Sequence, residues 1–143
     1  SANLALIAIS KHGPVGVDVE WRRSNVQHLA MAERFFSVRE RQMLASLEGS
    51  AAVMHGFFAA WSRKEAYLKA TGHGISRGLQ HFDVSLLPDM PALLLADRLD
   101  ASATDQWTMA NIEVAPDYAA ALVAARPVTA VRLFHAAGVL HPT

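Results

Sequence analysis

The sequence predicts an α+β fold: an antiparallel sheet with helices packed on one side. Three observations carry this. The chain opens with apolar runs of strand length, its middle third has helical spacing, and its last third returns to strand-like runs. Strands and helices that segregate along a chain, rather than alternate, fit helices laid on an antiparallel sheet.

The elements follow in order. Leu4 to Ser10 is an apolar run suited to a buried strand. Lys11-His12-Gly13-Pro14 is turn chemistry. Val15 to Trp21 alternates, with Val15, Val17 and Val19 on one face and Gly16, Asp18 and Glu20 on the other. The two runs read as an antiparallel hairpin, with the valines filling the core. Val26 to Phe36 has helical spacing. Ser37-Val38-Arg39-Glu40 matches a capping box and opens a second helix to about Leu47. A long helix spans about Ser50 to Ala70, ended by Gly72 as a left-handed cap. Further strands are expected near Phe82 to Leu86, Gln106 to Val114, Tyr118 to Ala124 and Val128 to Phe134, with Pro116-Asp117 as a turn. Pro88 to Asp105 fits no single element.

Bulk properties narrow the classes. The 143 residues make one domain, and 52% hydrophobic content excludes a disordered chain. Basic and acidic residues balance at 13 each, so nucleic acid is not the expected partner. There is no cysteine, hence no disulfide framework and no thiolate metal site. No apolar run is long enough to span a bilayer, and Ser1-Ala2-Asn3 lacks the basic region of a signal peptide. A soluble cytoplasmic protein is expected. The chain reaches a strand-like run at once from Ser1, which suggests that further sequence precedes it.

Two segments could carry chemistry. Asp18 and Glu20 project from one strand face, about 7 Å apart at the backbone. So close a pair repels unless a proton or cation is shared, and oxygen-only ligands suit magnesium or manganese. A solvated acidic face fits the same spacing. On the long helix, Phe58, Ser62, Glu65 and Lys69 form one stripe, and Phe57, Trp61, Lys64 and Leu68 the next. Glu65 and Lys69 also fit an ordinary surface pair.

Taken together, the segments resemble the two signature motifs of the phosphopantetheinyl transferase superfamily, in its Sfp-type members. Val15 to Glu20 matches (V/I)-G-(V/I)-D-(V/I)-E, and Trp61 to Lys69 matches (F/W)-(S/C/T)-x-K-E-(A/S)-x-x-K. Arg34-Phe35-Phe36-Ser37 is similar to the family's R-F-F-S stretch, and Gly72-His73-Gly74-Ile75 to its G-x-G-(I/L) turn.

The resemblance implies the family's fold and its activity. That activity is magnesium-dependent transfer of the 4′-phosphopantetheine arm of coenzyme A to a serine of an acyl or peptidyl carrier protein, releasing 3′,5′-ADP. It implies Asp18, Glu20 and Glu65 as metal ligands, Lys64 and Lys69 as coenzyme A contacts, and Glu65 and Lys69 as catalytic residues. It also implies that residues 1–143 are the carboxy-terminal half of a two-half enzyme, because the histidine segment and amino-terminal half of such members have no counterpart here. A short self-associating enzyme and a non-catalytic carrier-binding module are the alternatives; the oligomeric state is left open. His73 is expected to serve the turn. Arg77 could face a phosphate, and Arg22 and Arg23 could steer an acidic partner or be solvated.

Overall fold

The computed structural model describes residues 1–136. Its elements run β1 (Val15–Trp21), α1 (His28–Phe35), α2 (Val38–Ala45), α3 (Ser50–Thr71), β2 (Phe82–Val84), β3 (Leu94–Asp97), α4 (Ala103–Gln106), β4 (Trp107–Asn111) and β5 (Tyr118–Ala125). β1, β5 and β4 form an antiparallel sheet in that order, and β2 and β3 form a separate antiparallel pair.

α3 lies across β1 and β5, and small residues set how closely. A Cβ on Gly16 would stand 2.2 Å from the Ala66 carbonyl oxygen and 2.5 Å from the Ala70 nitrogen, so strand and helix touch backbone to backbone. Opposite Gly16, Asp18 and Glu20 on β5 stand Val123, Ala121 and Ala119, whose short side chains leave room for the helix. The face carrying Gly16, Asp18 and Glu20 is therefore the one that meets α3. This corrects the expectation that the valines fill the core beneath the strand: on the opposite face Val19 is buried, but Val15 and Val17 are only half-buried.

The remaining helices close over α3. Phe36 stacks on Phe57 with centroids 5.3 Å apart, and Phe57 on Trp61 at 5.7 Å. The capping box forms as expected: Ser37 Oγ accepts from the Glu40 amide, and Glu40 accepts from the Ser37 amide. Gly72 ends α3 at φ 73°, and Gly74 follows at φ 62°, both in the left-handed region that glycine supplies without a Cβ clash.

Two expected strands do not form. The Trp21 amide at the end of β1 donates to Ser1 Oγ at 3.0 Å, yet residues 4–10 make no strand ladder. β1 pairs with β5 instead, from Val15↔Ala124 to Trp21↔Tyr118. The cause lies in what each run can bury. Ile7 and Ile9 remain 86% and 92% exposed, whereas β5 buries its alanines under α3. The run 128–134 is likewise irregular, with Phe134 exposed and Pro127 at its start. The segment that fitted no single element supplies β3, the partner of β2, and the short α4.

Candidate functional site

The strand and helix segments singled out in the sequence meet across the β1–α3 contact. Lys69 Nζ donates to Asp18 Oδ1 at 2.7 Å. Asp18 is buried, and its Oδ2 has no hydrogen-bond partner. The Lys69 side chain keeps about half its surface in solvent, at 52%. Burial is the main cause that raises the pKa of Glu20 to about 7, and the neighbouring Asp18 carboxylate adds to it. A proton held there would be shared with Asp18. Burial also raises the pKa of Glu65, Asp18 pushes it further in the same direction, and Lys69 opposes the rise. Asp18 thus lies within the electrostatic reach of Glu20, Glu65 and Lys69.

This arrangement fits a hard divalent cation by its chemistry. All donors are carboxylate oxygens, one buried oxygen is unpartnered, and two carboxyls are held in the protonated direction by burial and by the nearby Asp18. The set is not yet gathered. Among the described residues, no three His, Cys, Asp or Glu side chains stand close enough together to hold a metal ion as they lie. The Lys69 ammonium fills the charge-balancing place beside Asp18 instead.

Lys64 stands apart from this cluster, on the inward face of α3. Its side chain is fully buried. Nζ donates to Glu40 Oε1 and Oε2 at 2.7 and 2.8 Å and to the Phe82 carbonyl at 2.5 Å. It also lies 4.1 Å from the Phe82 ring centroid. Burial pulls its pKa down and Glu40 pulls it back up. All three ammonium donors are used within the core in this arrangement. The physical reason was present in the sequence: Lys64 lies on the stripe of Phe57, Trp61 and Leu68, which faces inward. A lysine there needs a buried acid, and Glu40 supplies it.

The remaining basic residues divide between structure and surface. Arg77 pairs with buried Asp97, which also accepts from Tyr67 Oη at 2.5 Å. Arg77 and Tyr67 line one wall of a recess of about 380 Å³ that includes His73, Thr71 and Trp107. His73 itself is exposed, on the loop that the two positive-φ glycines shape. Arg22 donates to the Pro116 carbonyl at 2.7 Å and faces a second recess of about 400 Å³, while the Arg23 guanidinium lies 5.7 Å from the Phe58 ring centroid. Sequence reasoning did not single out Arg63, which is 4% exposed and ties α3 to Asn111 Oδ1 at 2.9 Å.

With the fold and this convergence in view, residues 14–123 match the model of the 4′-phosphopantetheinyl transferase superfamily, and the chain belongs to that family. Among its relatives, the 4′-phosphopantetheinyl transferase HetI of Nostoc sp. is 37% identical over 117 residues, covering 82% of this chain and 45% of the relative. The chain spans less than half the length of the curated relatives it matches. Two solved structures share the fold. The holo-(acyl-carrier-protein) synthase of Thermotoga maritima superposes with a TM-score of 0.59 at 21% identity, over 78% of this chain and 62% of that one. The holo-(acyl-carrier-protein) synthase of Bacillus anthracis, solved in complex with CoA (3′,5′-ADP), gives 0.57 at 20% identity, over 78% and 94%.

Proposed function

We propose that this chain carries the metal- and phosphate-binding part of a 4′-phosphopantetheinyl transferase site. The reaction moves the phosphopantetheine arm of coenzyme A to a serine hydroxyl on an acyl or peptidyl carrier protein. The serine oxygen forms a new bond to the phosphorus bearing the arm, the pyrophosphate bond to the nucleotide breaks, and 3′,5′-ADP leaves. The observation that carries this is the meeting of Asp18 with Lys69 across the contact that Gly16 allows, with Glu20 and Glu65 beside it.

Asp18, Glu20 and Glu65 would hold Mg²⁺, whose oxygen preference matches this donor set. When bound, the cation neutralises charge on the pyrophosphate as its bond breaks. The residues' own parts follow from their surroundings. Asp18 would offer its unpartnered oxygen. Glu20 must lose its proton first, since its pKa is about 7. Lys69, half in solvent, would face a phosphate as a mobile point charge. Glu65 would also receive the proton of the acceptor serine, the role the resemblance gives it.

The test incubates the chain with an apo carrier protein, Mg²⁺ and coenzyme A, and follows the carrier by intact-mass spectrometry. The carrier gains the mass of the arm with the parent and not with Asp18→Ala. A gain that Asp18→Ala leaves unchanged would sink the metal assignment. Carrier binding with no transfer, in a chain that still binds metal, would favour a non-catalytic module; the ungathered carboxylates are the observation on that side.

A further inference from the structure

We propose that Glu40 is a positioning residue for Glu65, acting through Lys64. The inference rests on the reading of Glu65 as a metal ligand and goes beyond it by naming what holds that ligand in place.

Glu40 is fully buried at the start of α2, and its carboxylate joins three elements. Oε2 accepts from the Ser37 amide at 3.0 Å, which caps α2. Oε1 accepts from the Val84 amide of β2 at 2.8 Å. Both oxygens accept from Lys64 Nζ on α3, whose third donor goes to the Phe82 carbonyl. The acid and the lysine therefore satisfy each other completely. Neither can shift without leaving a charge buried and unpaired.

Lys64 precedes Glu65, and successive helical residues point about 100° apart. Fixing Lys64 against α2 and β2 thus fixes the direction in which Glu65 leaves α3. Arg63 fixes the same turn from another side, donating to Asn111 Oδ1 of β4 and to the Ser85 carbonyl. Stacked rings such as Phe57 on Trp61 tolerate small rotations, because dispersion has no directional preference. A carboxylate with four donors does not. A buried ion pair replaced by apolar residues of like volume often leaves stability unchanged or raised. The pair's contribution here is directional: it sets the rotation of α3 at the one turn whose carboxylate must face Asp18.

The test measures Mn²⁺ binding to the full chain by electron paramagnetic resonance, beside thermal melting, for two variants. Glu40→Asp shortens the carboxylate while keeping its charge. The double variant Glu40→Leu with Lys64→Met removes the pair and keeps the volume. The expected result is Mn²⁺ affinity lowered roughly 10-fold or more in a folded variant whose melting temperature is close to the parent's, the usual size of effect for a residue supporting a metal ligand. A folded variant that binds Mn²⁺ within about twofold of the parent, well below that effect, would overturn the proposal. Loss of the folded state in both variants would overturn it too, by assigning the pair to folding. Glu65→Gln separates the underlying reading: if it binds Mn²⁺ as the parent does, Glu65 is no ligand, whatever Glu40 does.

Discussion

At the scale of single residues, the site is a set of charges held close together before any cation arrives. Glu20 makes this measurable. Its pKa in the folded protein is about 7 against an ordinary 4.5, because burial and Asp18 disfavour the charged form. A carboxyl raised on folding contributes stability that is fully present below about pH 4.5 and lost as pH rises through about 7. The metal-free parent is therefore expected to lose melting temperature between about pH 5 and pH 8 relative to Glu20→Gln. Saturating Mg²⁺ removes that difference in the parent, since the cation replaces the proton. A parent and variant with parallel pH profiles in the absence of metal would refute the assignment. Lys69 should behave differently. Its half-exposed ion pair with Asp18 is worth about 1 kcal/mol or less once Mg²⁺ balances the carboxylate. Lys69→Ala should therefore leave urea unfolding in Mg²⁺ nearly unchanged, while arm transfer, measured by carrier mass, falls about 100-fold or more through loss of a phosphate-facing charge.

At the scale of elements, the site depends on how closely β1 approaches α3. Gly16→Ala would press a methyl group onto the Ala66 carbonyl and the Ala70 nitrogen, which are backbone atoms and cannot turn aside. A loss of about 3 kcal/mol or more is expected in equilibrium urea unfolding, with metal binding lost alongside. Gly56→Ala is the contrast. Its added methyl meets the tips of Leu47 and Leu44, which can move, and alanine favours the helix, so the net change should stay within about 1 kcal/mol. The same contact explains how far the sequence could be read. The capping box at Ser37, the glycine stop of α3 and the two signature segments are local signals, and each was legible. Alternation showed that Asp18 and Glu20 share a face, but not which face meets the core, because Gly16 is a gap only to a helix already lying there. Partner choice was hidden for a related reason. Leu4 to Ser10 resembles a strand as well as β5 does, yet only β5 has a helix over its inner face. Lys64 was legible as a motif position, but its ion pair was not, since its partner Glu40 lies on another helix and already had a local role in the cap.

At the scale of the whole molecule, the two faces of the β1–β5–β4 sheet are unequally covered. The inner face carries α3, while Val15 and Val17 on the outer face are only half-buried. Residues 4–10 alternate in exposure: Leu4, Leu6 and Ala8 are half-buried, while Ala5, Ile7 and Ile9 face solvent. One row thus rests on the protein and the other contributes almost nothing to holding it. Substitution should separate the rows. Ile7→Ser with Ile9→Ser removes apolar surface that is already 86% and 92% exposed, so stability should change by no more than about 0.5 kcal/mol at each position. Leu6→Ser removes a half-buried contact and should cost about 1 kcal/mol. Calorimetry on the three proteins makes the comparison. A clear fall in melting temperature for the isoleucine pair would mean that this row is covered in solution by surface that these residues alone do not describe. An unchanged melting temperature, together with a loss for Leu6→Ser, would show that the segment is held from one side only, through its half-buried row.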